Sequence, residues 1–147
     1  MKGRKGDSLV LPLSHPHSLP LSIYKKTLKI MLKIGITGQA GFVGTHLFNT
    51  LGLNTEKFIK IPFEDEYFSD NSKLNAFVES CDAIVHLAAM NRHSDPQVIY
   101  DTNIQLVKKL ILACESTNST PHILFSSSTQ EERDNLYGKS KKEGREL

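Results

Sequence analysis

A parallel α/β fold, with helices wound on both faces of the sheet, is the class this sequence predicts, on three observations. Short β-branched runs alternate with segments of helical apolar spacing along most of the chain. A glycine-rich turn, Thr37-Gly38-Gln39-Ala40-Gly41-Phe42-Val43-Gly44, stands directly behind the first of these runs. The alternation reads β-α-β-α-β-α-β-α, which implies parallel strands joined by right-handed crossovers.

Leu32–Thr37 (Leu-Lys-Ile-Gly-Ile-Thr) suits a buried parallel strand. Residues 42–51 carry helical apolar spacing at Val43, Leu47 and Leu51, with Gly52 as a stop. Residues 57–61 form a second strand ended by Pro62, and residues 64–70 are acidic and loop-like. Asn71 or Ser72 caps a helix to Ser80 that buries Leu74, Phe77 and Val78. Residues 83–88 are a third, nearly continuous apolar strand. After Asp95-Pro96 a long helix covers residues 97–116, with Ile99, Ile104, Leu106, Val107, Leu110, Ile111 and Ala113 on its apolar face. Pro121 leads into a fourth strand at residues 122–126, and a last helix begins near Leu136. The fold expected is Rossmann-like and doubly wound, truncated to four strands where six or seven are usual.

One domain is the natural reading of 147 residues with a hydrophobic share of 39% and a charged share of 23%. The net charge of +2 is unevenly spread. Residues 1–30 hold six basic side chains against Asp7 alone, whereas the rest hold 12 basic and 15 acidic ones. The basic excess therefore belongs to the leader, and no nucleic-acid-binding surface is expected on the domain. Residues 1–30 read as a disordered or spurious extension, with residues 31–147 forming the domain and Met31 opening the ordered pattern. A signal peptide is disfavoured by Pro12, Pro16, Pro20, His15 and His17 and by the want of a small-residue cleavage site. His15 and His17 lack further ligands and read as loop residues, so no metal is expected. No run approaches the ~18–20 apolar residues of a membrane helix. Cys81 and Cys114 fit buried free thiols in a reducing cytoplasm.

The glycine turn has the chemistry of a pyrophosphate grip. Gly38 allows a sharp exit from the strand, Gly41 lets backbone approach the phosphates, and Gly44 permits close helix packing. Phe42 and Val43 supply the first helical amides, which with the helix dipole face the anion. A tight turn of small residues would look similar, but this one joins a strand to a helix inside an alternating unit. An acid at the tip of the second strand would bind a ribose and favour NAD. Here that strand ends Lys60-Ile61-Pro62-Phe63, and Glu64 and Asp65 come late, which points to NADP(H) over NAD(H). The turn His86-Leu87-Ala88-Ala89 leaves room for a flat cofactor beside Leu87, Ala88 and Ala89, with His86 itself a structural, hydrogen-bonded residue.

Further along, Tyr137 follows Ser128 by nine positions and Lys141 follows Tyr137 by four. Reduction of a carbonyl needs a proton delivered to oxygen, and a tyrosine with an ordinary pKa of about 10 needs help to deliver it. Lys141, on the same helix face, supplies positive charge and can bind ribose hydroxyls, while Ser128 polarises the carbonyl. A serine-rich loop would also explain residues 126–128 taken alone.

These residues, in this order, resemble the extended branch of the short-chain dehydrogenase/reductase superfamily, the NAD-dependent epimerase/dehydratase family. The GxxGxxG spacing, the HxAA turn and the Ser…YxxxK relay carry the resemblance, which covers residues 32–147. It assigns Ser128 as the aligned catalytic serine and Asn103 as the asparagine that holds the active-site region. The short Ser128-to-Tyr137 interval departs from UDP-glucose 4-epimerases. It is similar to the reductase domain of CapF-type capsular polysaccharide enzymes, as are Phe42-Val43-Gly44, Asn91-Arg92 after the His-Leu-Ala turn, and Asn135-x-Tyr-Gly-x-Ser-Lys. That resemblance implies NADPH-dependent reduction of a 4-keto UDP-6-deoxy-N-acetylhexosamine in polysaccharide sugar synthesis, a cytoplasmic location, and a homodimer through the last two helices. It also implies a cupin-like second domain that this sequence does not contain.

Two alternatives stand beside it. A 4-epimerase or dehydratase of the same family is one, although dehydratases place acids where Thr129 and Gln130 stand here. Glu131 and Glu132 come later and read as solvated loop charges. The other is a catalytically inactive nucleotide-binding fragment, because the sugar pocket of the family is built mainly beyond the relay lysine. On that ground the polypeptide alone is expected to lack reductase activity and to aggregate.

Overall fold

The structure is a computed structural model that describes residues 31–147; the expectations for residues 1–30 lie outside the described residues. Four strands, β1 (Leu32–Thr37), β2 (Phe58–Ile61), β3 (Ala83–His86) and β4 (His122–Phe125), form one parallel sheet in the order β2-β1-β3-β4. Helices α1 (Phe42–Gly52), α2 (Asn71–Glu79), α3 (Pro96–Thr117) and α4 (Leu136–Glu146) follow the strands in turn. β3 stops at His86, two residues short of the expected end, where Leu87 and Ala88 leave the sheet and bond back to Thr37.

Period-two alternation along the strands divides the core into two layers. Ile34 and Ile36 of β1, with Ala83 and Val85 of β3, pack against Leu47, Phe48 and Leu51 of α1. On the opposite face Ile84 meets Phe77 and Val78 of α2 and Leu110 and Ala113 of α3. Full burial of each large apolar side chain among them, such as Ile36, Ile84 or Val78, contributes about 1.5–3 kcal/mol of transfer free energy. α1 thus covers one face and α2 and α3 the other, with α4 lying against α3, so the sheet is doubly wound. On α3 the buried stripe is Ile99, Ile104, Val107, Leu110 and Ala113, with Asn103 as its one polar member.

Local chemistry explains the ends. Asp70, not Asn71 or Ser72, caps α2: its carboxylate accepts from the amides of Ser72 and Lys73 at 3.0 and 3.2 Å. Asp95 caps α3 by accepting from the Gln97 amide at 2.8 Å, with Pro96 in the first helical turn, where its missing N–H costs nothing. Asn118, at φ 52°, closes α3 in the left-handed conformation.

Two short 3-10 turns were not anticipated. Asp65–Ser69 turns the supposed loop inward and buries Phe68. Phe68 joins Phe63, whose ring meets those of Tyr67, Phe68 and Phe77 edge-on at centroid distances of 5.3, 5.2 and 4.8 Å. Acidic neighbours in the sequence mask this aromatic cluster. The second turn, Thr129–Glu132, joins β4 to α4.

The chain leaves β1 toward β2 on one side, yet β3 pairs with β1 on the other. A crevice therefore opens beyond the carboxyl ends of β1 and β3, where open α/β sheets bind ligands.

Candidate functional site

The crevice begins at the glycine turn. Gly38 sits at φ +68°, and a Cβ there would lie 2.8 Å from the Ala88 amide nitrogen. Only glycine combines that conformation with so close a neighbour. A Cβ on Gly44 would lie 2.3 Å from the Gly38 carbonyl oxygen, so the close packing at Gly44 is against the turn itself. The Gly41 amide donates to the Gly38 carbonyl at 3.0 Å, and beyond it space is open.

α1 differs from the other helices at its start. Asp70, Asp95 and Asn135 cap α2, α3 and α4 with side-chain oxygens, but Gly41 gives α1 no side-chain cap. Among the described residues no side chain caps the leading amides of Phe42 and Val43, and a helix start of this kind suits an anion. Their side chains point into solvent, 82% and 60% exposed. Gly38, Gly41, Leu87, Ala88 and Ala89 line a cavity of about 610 Å³ that extends toward Asp65 and Thr102.

Hydrogen bonds fix the β3 side of the cavity. The buried Thr37 hydroxyl accepts from the Ala88 amide at 3.3 Å and bonds His86 Nδ1 at 2.7 Å. His86 is 1% exposed and stacks on Phe125 at 5.6 Å. Burial, with the Lys141 charge adding to it, pushes its pKa down to about 4, so it is a neutral structural residue. Asn103 is 4% exposed and accepts from the Met90 amide at 2.7 Å while donating to the Met90 carbonyl at 3.0 Å. Its amide also donates to Ser140 Oγ at 3.0 Å, and Ser140 donates to the Tyr137 carbonyl at 2.7 Å. One side chain thus ties the β3 exit and α3 to the turn of α4 that bears Tyr137. Sequence reasoning missed Ser140; its signal is a small polar residue three positions after Tyr137.

Tyr137 is half-buried in the first turn of α4. Lys141, one turn on, is 3% exposed, with Nζ 4.4 Å from the centre of the Phe125 ring. Among the described residues it forms no ion pair. Burial pushes its pKa below the ordinary lysine range, and the Glu131 charge opposes that shift. Ser128 stands at the exit of β4, where its Oγ accepts from the Gln130 amide at 3.2 Å and caps the 3-10 turn. That turn abuts α4: a Cβ on Gly138 would fall 1.8 Å from the Gln130 carbonyl oxygen. The Ser128 segment is thereby held against the first turn of the helix carrying Tyr137 and Lys141.

Glu131 is not a solvated loop charge. Its side chain is 15% exposed and pairs with Arg145 at 3.0 Å. At the tip of β2, Gln39 Oε1 accepts from the Phe63 amide at 3.1 Å, and Lys60 lies 4.1 Å over the Phe48 ring. The cysteines are free thiols, and burial pushes Cys81 up to about 12. Among the described residues no His/Cys/Asp/Glu group is suited to a metal ion, and no helix is long and apolar enough to cross a membrane.

Three comparisons bear on this arrangement. Residues 34–146 match the model of the NAD dependent epimerase/dehydratase family. UDP-2-acetamido-2,6-beta-L-arabino-hexul-4-ose reductase of Pseudomonas aeruginosa is 34% identical over 119 residues, covering 78% of this chain but 30% of that enzyme. Among solved structures, RMD from Pseudomonas aeruginosa complexed with NADPH matches with a TM-score of 0.67 and 22% identity over 80% of this chain and 48% of that one. UDP-glucose 4-epimerase from Bifidobacterium longum, in complex with NAD+ and UDP, matches with a TM-score of 0.61 and 19% identity over 78% of this chain and 47% of that one. At these identities the structural likeness shows the fold alone.

Proposed function

The chain belongs to the NAD dependent epimerase/dehydratase family, and from that premise we propose that it is the N-terminal, cofactor-binding part of an NAD(P)H-dependent nucleotide-sugar reductase. The substrate proposed is a 4-keto UDP-6-deoxy-N-acetylhexosamine, the class named by the 34%-identical reductase. The observation that carries the reading is the pairing of an uncapped α1 with a buried, unpaired Lys141 at the same end of the sheet.

The residues present fit a dinucleotide. The free amides of Phe42 and Val43 would hold the pyrophosphate, and the small residues Ala88 and Ala89 leave space for a flat ring. When bound, the reduced nicotinamide supplies the hydride. Ser128 would donate a hydrogen bond to the carbonyl oxygen, and Tyr137 would pass its hydroxyl proton to that oxygen as the alcohol forms. Lys141 would bind the ribose hydroxyls and stabilise the phenolate left behind. Its ammonium is drawn out of water and, among the described residues, has no carboxylate partner, which would leave it to a ligand and to Tyr137. NADP(H) remains the proposed cofactor, because Phe63, Pro62 and Gln39 occupy the tip of β2 where an acid would favour NAD.

Reduction is favoured over dehydration. Thr129 and Gln130 follow Ser128, and the nearest carboxylate, Glu131, is engaged by Arg145 and Ser127.

The test is a fluorescence titration of the chain with NADPH and NADH. Saturable binding of NADPH is expected, weakened at least about tenfold by Gly44→Val, whose side chain would force the helix off the turn. Binding that never saturates, or that Gly44→Val leaves unchanged, would overturn the proposal.

A further inference from the structure

The carboxylate of Glu131 lies between the two parts of the relay. Ser127 Oγ donates to Glu131 Oε1, and the same Ser127 Oγ accepts from the Ser128 amide at 2.6 Å. From the other side Arg145 grips both carboxylate oxygens, Nε to Oε1 at 3.3 Å and Nη2 to Oε2 at 3.0 Å. Arg145 stands four residues after Lys141 and eight after Tyr137, one and two turns along the same helix. An exposed ion pair contributes little, but this one is two-pronged, joins segments 14 residues apart, and has a largely shielded carboxylate. Arg145 and then Ser127 hold the Glu131 carboxyl below the usual carboxylate range, so it remains charged near neutral pH.

The clamp has a counterpart at the other end of the helix. There the bare Gly138 leaves room for the Gln130 carbonyl oxygen, which a Cβ would meet at 1.8 Å. With only eight residues between Ser128 and Tyr137, the connecting turn has little slack, and these two contacts set where it lies.

We infer that Glu131 is a positioning residue of the relay: by bridging Ser127 and Arg145 it fastens the Ser128 segment to the helix that carries Tyr137 and Lys141. This rests on the function proposed above, although the clamp itself can be measured without it.

The experiment compares the full chain with Glu131→Gln, Arg145→Gln and the charge-exchanged pair Glu131→Arg/Arg145→Glu. The first readout is amide hydrogen exchange of the peptide spanning residues 127–136, with the α3 peptide as internal reference. Each single variant is expected to speed exchange in that peptide about tenfold while α3 stays protected, and the exchanged pair to restore much of the protection. The second readout is NADPH affinity, expected to change less than about threefold, because Ser127, Glu131 and Arg145 do not line the cavity beside Gly38 and Gly41. Where turnover of a 4-keto UDP-sugar is detectable, kcat falls in the single variants, KM for the cofactor holds, and the exchanged pair recovers kcat. Unchanged exchange in residues 127–136, or an equal rise throughout the chain without recovery in the exchanged pair, would overturn the inference. Failure of the parent chain to bind NADPH would instead count against the proposed function and leave the exchange result to decide the clamp.

Discussion

A histidine buried without its charge makes this fold sensitive to acid. His86 has a folded pKa of about 4, against the ordinary 6.5 it regains on unfolding. Between those values the unfolded chain binds the proton first, so stability falls as pH drops from 6.5 toward 4 and is fully present above 6.5. The contribution at stake is about 3 kcal/mol. Replacing His86 by Asn should lower stability at pH 7, since the bond to Thr37 and the stack on Phe125 are disturbed. It should also flatten the pH slope in that window. Urea midpoints measured from pH 4 to 7 for both proteins would show it, and parallel slopes would mean that His86 titrates in the folded state as it does in the open chain. Lys141 is the complementary case, a charged group held out of water, and its burial could not be read from a YxxxK spacing alone.

At the level of elements, alanine in place of glycine ordinarily stabilises a helix interior by close to ~1 kcal/mol. At Gly138 the sign should reverse, because the added methyl would meet the Gln130 carbonyl. Gly138→Ala is expected to destabilise by about 1–3 kcal/mol in chemical denaturation; a gain in stability would show that the 3-10 turn is free to shift away. The strands and helices themselves were legible in the sequence because their periodicities are local: Ile34 and Ile36 alternate, and Ile99, Ile104, Val107 and Leu110 recur at helical spacing. What stayed hidden is what non-local contacts decide. Asp70 caps α2 one residue before the expected Asn71, because its backbone is extended and its carboxylate reaches two amides. Residues 64–70 read as an acidic loop, yet Phe68 is drawn inward by Phe63 from across the turn. Glu131 resembled a solvent charge until Arg145, 14 residues away, came to meet it. The relay residues were recognisable in order, whereas the network from Met90 through Asn103 and Ser140 to Tyr137 depends on three elements meeting.

For the molecule as a whole, the open sheet leaves edge strands at both ends. Among the described residues β4 pairs only with β3, and Ile123 and Leu124 are 39% and 47% exposed along it. Such an apolar edge invites pairing with another chain. Leu124→Lys should therefore reduce self-association of this polypeptide in light scattering while leaving its circular dichroism unchanged; undiminished association would place the sticky surface elsewhere. The chain spans 30% of the length of its curated relative and about half of each solved structure compared, so the activity of a whole enzyme stays a proposal.

The uncapped start of α1 has a consequence for how this protein responds to substitution. The grip proposed there, formed by main-chain amides, would have no side chain to delete and no proton to lose. Truncating residues to alanine one at a time would cut away Phe42 and Val43 and find little, because both already point into water. The grip is defined by atoms that are missing, at Gly38 and Gly44, and only the addition of carbon would expose it. Such a site withstands loss and is vulnerable to gain, so the most damaging changes here are among the smallest the genetic code allows.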